Sequence, residues 1–267
     1  MGTSLLQFHI RILIKFYKIS LKKYIIASLL ALYHIVAVSQ PEVTAHAWAI
    51  TDATGKILEG TNTSEIRSIA SITKLMTAMI ILDSNQSLTE IIPKKLYNKK
   101  LTRLTLIELA IVKSDNTAAK MLCDYYPGGN SACVAAMNAK AETLQMSNTV
   151  FSDPTGLLQT NVSTAEDLIK LVAAASKYNI ITEASNKNII RWLINKNKWA
   201  DFRNTNSLVG KGYHFIVSKT GFINKSGGCI VMMLDTVYGV RTVILLGSKN
   251  TKTRIPEAEL LSQKKIS

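Results

Sequence analysis

The sequence predicts an α/β fold of the α+β kind, with one antiparallel sheet assembled from both ends of the chain and a helical subdomain inserted between them. Three observations carry this. The stretch "AHAWAITDATGKILEG" alternates and breaks at Asp52-Ala53-Thr54-Gly55, as two strands joined by a turn do. The middle of the chain repeats apolar residues at helical spacing. The last third, "HFIVSKTGFI", "GGCIVMMLDTV" and "VRTVILLGS", is β-branched and interrupted by Asn224-Lys225-Ser226-Gly227 and Tyr238-Gly239, the pattern of an antiparallel meander.

Taken in order, residues 1–39 come first. They hold Arg11, Lys15, Lys18, Lys22 and Lys23 and no acid. Lys22 and Lys23 precede the apolar run "YIIASLLALYHIVAV", which ends at Ala37-Val38-Ser39. A basic stretch, an apolar run and small residues at its exit are the parts of a secretion signal. Cleavage near Ser39 is expected, leaving residues 40–267 as a single exported domain on the periplasmic or cell-wall side of the membrane. An uncleaved anchor is the alternative, because "FHIRILIKFY" adds apolar residues ahead of the run. Without the leader, 27 basic residues face 18 acidic ones, a net charge of +9. That balance fits a solvated basic surface, or a peripheral attraction to anionic wall polymers or lipid headgroups. No nucleic-acid partner is expected.

From Ser71 to Asp83, residues Leu75, Met76, Met79, Ile80 and Leu82 nearly encircle a helix axis, so this helix should be largely buried. A polar stretch, "SNQSLTEIIPKKLYNKK", precedes two further helical segments, "TLIELAIVKSDNTAAKMLCDYY" and "NSACVAAMNAKAETLQM", separated by the helix-stopping Pro127-Gly128-Gly129. Ser163-Thr164-Ala165-Glu166 matches a capping box opening "TAEDLIKLVAAASKY", which gives Glu166 a structural task. The segment "EAELLSQKK" closes the chain as a short helix.

Three cysteines and four histidines, with no C-x-x-C spacing, argue against a metal centre. Cys123 and Cys133 flank a helix-turn-helix connection. An oxidising compartment could bridge them, and two separate buried thiols account for them as well, the reading favoured here. Cys229, inside "CIVMML", reads as core.

The chemistry resides in three short motifs. Ser71 and Lys74 lie three residues apart in "SIASITKLM", which on a helix leaves them about 60° apart around the axis and ~4.5 Å along it, within reach of each other. A serine needs a base to become a nucleophile. Beyond the leader only His46 and His214 are available, and no G-x-S-x-G elbow exists, so a Ser-His-Asp arrangement is weakly supported. Lys74 can serve if its pKa falls from ~10.4, which burial and a second nearby cation would achieve. Lys219 of "SKTGF" would be that cation, and Ser114-Asp115-Asn116 at a helical junction is the third element. Asp115 reads as a residue that shapes the turn.

S-x-x-K on a buried helix, then S-D-N, then K-T-G on a strand is the signature set of penicillin-binding proteins and class A β-lactamases. The segments "SIASITKLMTAMIILD", "FSDPTGL", "NVSTAEDLIKL", "FRNTNSLV" and "SKTGFINKSGGCIVMM" extend the likeness. From about residue 44 to about residue 250 the chain resembles the low-molecular-mass D-alanyl-D-alanine carboxypeptidases and endopeptidases. "FRNTN" and the close of the chain soon after the meander resemble the endopeptidase subgroup most, since carboxypeptidase members usually add a β-rich domain and an anchor helix. The resemblance implies a penicillin-binding, serine β-lactamase-like fold and an enzyme without a cofactor that cuts D-Ala-centred amides of peptidoglycan stem peptides. Ser71 would be the nucleophile and Lys74 its base, with Ser114 relaying a proton to the leaving amine. Asn116 would hold the substrate amide, Lys219 and Thr220 its carboxylate, and Gly221 would allow a close backbone approach. The backbone N–H groups of Ser71 and Phe222 would form the oxyanion hole.

β-Lactam antibiotics would be covalent inhibitors. A class A β-lactamase needs an added glutamate to activate the deacylating water. Between residues 128 and 162 the only acids are Glu142 and Asp153, neither in an E-x-x-L-N context. Slow deacylation is therefore expected. The alternatives are a D-alanyl-D-alanine carboxypeptidase, a non-catalytic wall-binding module that has kept the fold, and a β-lactamase.

Overall fold

A computed structural model describes residues 43–195 and 198–266. The leader and its cleavage site lie outside the described residues, and among those described no helix is long and apolar enough to cross a membrane. Strands β1 (Ala47–Thr51) and β2 (Ile57–Thr61) form the expected hairpin. Its turn is held by Asp52 Oδ1, which accepts from Thr54 N at 2.9 Å and Lys56 N at 3.1 Å, with Gly55 at φ +87°. The two-residue strand β3 (Arg67–Ser68) leads into a 3₁₀ turn at Ala70–Ile72 and then helix α1 (Thr73–Asp83). Every residue from Thr73 to Ile81 is buried, as the encircling apolar pattern requires.

The polar stretch after α1 contains a hairpin, β4 (Ile91–Leu96) and β5 (Lys99–Thr102), for which the sequence shows no apolar alternation. Its turn residues Tyr97 and Asn98 both have positive φ, +52° and +59°, the geometry of a two-residue hairpin loop. The helical middle follows as α2 (Arg103–Val112), α3 (Asn116–Asp124) and α4 (Gly129–Thr143). Cys123 and Cys133 are joined by a disulfide, not separate thiols as favoured above: the Pro-Gly-Gly reversal folds α4 back on α3 and brings their Cα atoms to 5.4 Å. Cys229 is a buried free thiol.

Strand β6 (Val162–Ser163) pairs with β3 and precedes α5 (Ala165–Ala175). The cap of α5 is shifted one residue from the expected box. Thr164 accepts from Asp167 N at 3.1 Å, while Glu166 accepts from Thr63 Oγ1 at 2.6 Å. Ser163 is paired into the β3–β6 ladder, so the chain turns helical one residue later. Helix α6 (Asn179–Asn186) and a second hairpin, β7 (Ile189–Asn195) and β8 (Lys198–Arg203), come next.

The meander β9 (Phe215–Ile223), β10 (Gly227–Thr236) and β11 (Gly239–Ser248) completes a five-stranded sheet in the order β2-β1-β11-β10-β9, and α7 (Arg254–Ser262) ends the fold. N-terminal β1 pairs with β11, Ala49 opposite Ile244, so the two chain ends share one sheet. Period-two alternation gives β1, β10 and β11 two buried faces. Ala49, Val231, Ile244 and Leu246 face the helical subdomain around α1, whereas Ile50, Ile230, Val243 and Leu245 pack with Ala258 and Leu261 of α7. Strand β9 is left at the sheet edge, against the 3₁₀ turn.

Candidate active site

The 3₁₀ turn presents Ser71 where β9 passes. Ala70 before it is at φ +47°, a conformation that costs an L-residue about 1–2 kcal/mol. Two glycines hold that backbone in place. A Cβ on Gly156, itself at φ +79°, would fall 1.9 Å from Ala70 O, and one on Gly221 would fall 3.0 Å from Ser71 N. The backbone of two separate segments thus touches the turn, and any side chain at Gly156 would displace it.

Lys74 is fully buried one turn along, and its Nζ donates to Ser71 Oγ at 2.8 Å, Asn116 Oδ1 at 2.7 Å and Thr155 O at 2.5 Å. Three oxygen partners satisfy its three donors. Burial pushes the Lys74 ammonium down to about 7, against the opposing pull of the Asp153 and Asp115 carboxylates. The second cation expected from sequence is present as well, because Lys74 and Lys219 stand close enough for each charge to disfavour the other. The Lys219 ammonium is driven well down by complete burial, by Lys74 and by Arg254.

Asn116 is placed by the start of α3. Asp115 caps that helix, accepting from Ala118 N at 2.9 Å and from the Tyr97 hydroxyl, which fits its reading as the residue that shapes the turn. Tyr97 also accepts from Lys113 Nζ at 2.5 Å. Ser114 stands at the same junction at φ +60°, directly before this cap.

Strand β9 brings in the K-T-G triad. Lys219 Nζ donates to Thr220 O at 2.8 Å, and Thr220 Oγ1 donates to Thr205 Oγ1 at 2.7 Å. Thr205 N in turn donates to Val112 O at 3.0 Å, so the "FRNTN" segment ties the K-T-G strand to the end of α2, next to S-D-N. Arg254 of α7 donates from Nη1 to Gly221 O at 2.6 Å. Phe222 is exposed and stands opposite Gly228, one residue beyond Gly221.

Four residues in this arrangement had no role in the sequence reading: Asp153, Gly156, Thr205 and Arg254. Asp153 organises the loop that carries Thr155 and Gly156. Its carboxylate accepts from Thr155 N and Oγ1, Gly156 N, Leu158 N and Asn161 Nδ2, all between 2.5 and 2.8 Å. Asn161 O accepts from Ile69 N at 3.1 Å, binding the same loop to the segment ahead of Ser71. The only signal for this in "FSDPTGL" is a turn-forming D-P-x-G run. Arg254 carries no local signal, because its partner is a strand thirty-three residues away.

The family profile described as D-alanyl-D-alanine carboxypeptidase matches residues 34–96 and 89–247. The chain belongs to this family. It is 40% identical over 225 residues to the D-alanyl-D-alanine endopeptidase of Escherichia coli, covering 78% of this chain and 72% of that one. It is 39% identical over 241 residues to the D-alanyl-D-alanine endopeptidase of Pseudomonas aeruginosa, covering 83% and 77%. Among solved structures it matches a penicillin-binding protein of Listeria monocytogenes with cefotaxime bound, at TM-score 0.72 and 26% identity, over 82% of this chain and 96% of that one. The expected penicillin-binding fold and serine D,D-peptidase family are therefore both found.

Proposed function

We propose that this family member is a D-alanyl-D-alanine endopeptidase that cuts cross-links between peptidoglycan stem peptides through an acyl-enzyme on Ser71. The observation that carries the proposal is the 2.8 Å contact between Ser71 Oγ and a Lys74 amine lowered to about 7. An amine with that pKa is substantially neutral at neutral pH and can accept the hydroxyl proton.

Ser71 Oγ attacks the carbonyl carbon of the D-Ala on the acyl side of the scissile bond, and its proton passes to Lys74 Nζ. Backbone N–H groups of Ser71 and Phe222 receive the oxyanion; losing one such donor typically costs about 3 kcal/mol. The C–N bond breaks as Ser114 delivers a proton to the leaving amine, and Asn116 holds the substrate amide. Lys219 and Thr220 receive the carboxylate beside the leaving amine. Burial and two neighbouring cations disfavour the charge of Lys219, so an arriving carboxylate restores it. Water then hydrolyses the ester.

The two endopeptidase relatives support the endopeptidase preference over carboxypeptidase action. β-Lactams, acting as acylating analogues, are expected to be trapped. Asp153 is saturated by five donors, Glu166 is engaged with Thr63, and Glu142 is exposed on α4, so none of these three carboxylates is placed to activate a deacylating water. The basic leader supports export of the domain to the wall side of the membrane, with peripheral membrane attachment as a further expectation.

Intact mass and peptide mapping of residues 40–267 after treatment with a fluorescent penicillin test the reaction. A long-lived adduct on Ser71, absent in Ser71→Ala, is expected. Rapid turnover of a chromogenic cephalosporin would overturn it. Release of monomers from cross-linked muropeptides, faster than D-Ala release from pentapeptide, is the result expected for an endopeptidase.

A further inference from the structure

A cleft of about 330 Å³ lies beside the β3–β6 ladder, lined by Ile66, Arg67, Ser68, Gln159, Val162 and Lys225. No residue of the triads lines it, but two of its lining residues are close in sequence to site residues. Ser68 is three residues before Ser71, and three residues of extended chain span at most about 11 Å. Lys225 belongs to the turn just after β9, the strand carrying Lys219 to Phe222.

The cleft has the makings of an anion site. Arg67 Nη1 contacts Glu65 Oε1 at 2.5 Å, which offsets that pair of charges and leaves Lys225 as the surplus cation. Lys225 is exposed and makes no salt bridge or hydrogen bond among the described residues. Ser68 Oγ and Arg67 Nε, on two other lining residues, are buried without partners among the described residues. Both atoms lie below the surface, so the groups the cleft offers to an incoming anion are the exposed Lys225 ammonium and Gln159 amide.

Direction follows from the proposed function, on which this inference rests. With the leaving-group carboxylate at Lys219 and Thr220, the substrate's acyl part runs along β9 past Phe222 and Ile223 towards Lys225. We propose that this cleft is an acyl-side subsite for a carboxylate carried two or three residues before the scissile bond. Lys225 provides the charge, the Gln159 amide provides a polar contact, and Ile66 and Val162 provide an apolar wall.

The test uses short synthetic peptides ending in D-Ala-D-Ala, identical except for Glu or Gln two or three positions before the scissile bond. They compete with fluorescent penicillin for Ser71 of the mature protein. In the wild type, Glu at one of these positions should halve labelling at about fivefold lower concentration than Gln, the range of an exposed ion pair. Lys225→Ala should remove that preference and Lys225→Glu should reverse it, and 0.5 M salt should shrink it. Equal competition by Glu and Gln peptides at both positions, or a preference that survives both variants, would overturn the subsite. Labelling of Ser71 separates the two failures. Without it the peptidase reading fails as well; with it and no Glu preference, the subsite alone is wrong.

Discussion

The two buried lysines of the site stand in regions of different construction. Lys74 sits where a helix start, a coiled loop and the S-D-N junction converge, and three oxygens from three segments receive its protons. Lys219 sits on a paired edge strand, donates to one carbonyl of its own chain, and feels the charges of Lys74 and Arg254. Both are pushed down by burial, but the surroundings differ in what they still need. Lys74 has its acceptors already and one of them is the nucleophile itself, which suits a base. Lys219 lacks an anion, which suits a binding group. The same residue type acquires two tasks from the polarity of its neighbours.

The largest effect expected from breaking this contrast is in Lys74→Ala. Loss of a general base should slow acylation of Ser71 by fluorescent penicillin by 10²- to 10⁴-fold, read from labelling time courses. Next is Gly156→Ala. Its Cβ would strike Ala70 O in a left-handed backbone, so a loss of about 3 kcal/mol in denaturant unfolding is expected, together with slower labelling. Lys219→Ala should weaken apparent affinity for carboxylate-bearing substrate by about 10- to 100-fold, the loss of one charge-assisted hydrogen bond, with a smaller change in the maximal labelling rate. If Lys219→Ala and Lys74→Ala instead changed the same kinetic parameter to the same degree, the division of labour would be wrong.

The smallest and most discriminating effect is in pH. Lys74 works as the neutral amine, so acylation should fall about tenfold per unit below pH 7 and level off above it. Stability follows the same group with the sign of a depressed lysine. From pH 7 up towards 10.5 the unfolded chain holds a proton that the folded one has released, so the contribution of Lys74 to stability rises with pH across that window. Below pH 7 both states are protonated and the contribution is constant. Lys74→Met should flatten this slope in unfolding titrations measured from pH 7 to 9.

Much of this architecture is legible in local pattern. The alternation of β1 and β2, the encircling apolar residues of α1 and the β-branched meander each follow from side-chain periodicity, which a strand or helix expresses wherever it is placed. The hairpins β4–β5 and β7–β8 were not legible: the first is polar and interrupted by Pro93, and the second pairs Arg191 with Asp201 across its outer face where apolar alternation would otherwise show. The cap of α5 was misplaced by one residue because Ser163 and Thr164 are equal candidates by type, and only the β3–β6 ladder distinguishes them. The cysteine pair depended on how tightly α4 folds back on α3, a tertiary matter.

By itself the sequence determined which residue types are available and their spacing along each element: a serine and a lysine one turn apart, a capped S-D-N junction, and a glycine after lysine and threonine on a strand. Those properties are short-range, set by helix pitch and strand pleat. Tertiary structure alone decided that Thr155 O and Asn116 Oδ1 meet the Lys74 amine, that Gly156 and Gly221 clamp the backbone around Ser71, and that Arg254 reaches Gly221 from the other side of the sheet. These contacts join residues tens of positions apart. Their energies depend on burial and on which charges are brought together, quantities that have no value until the chain has folded.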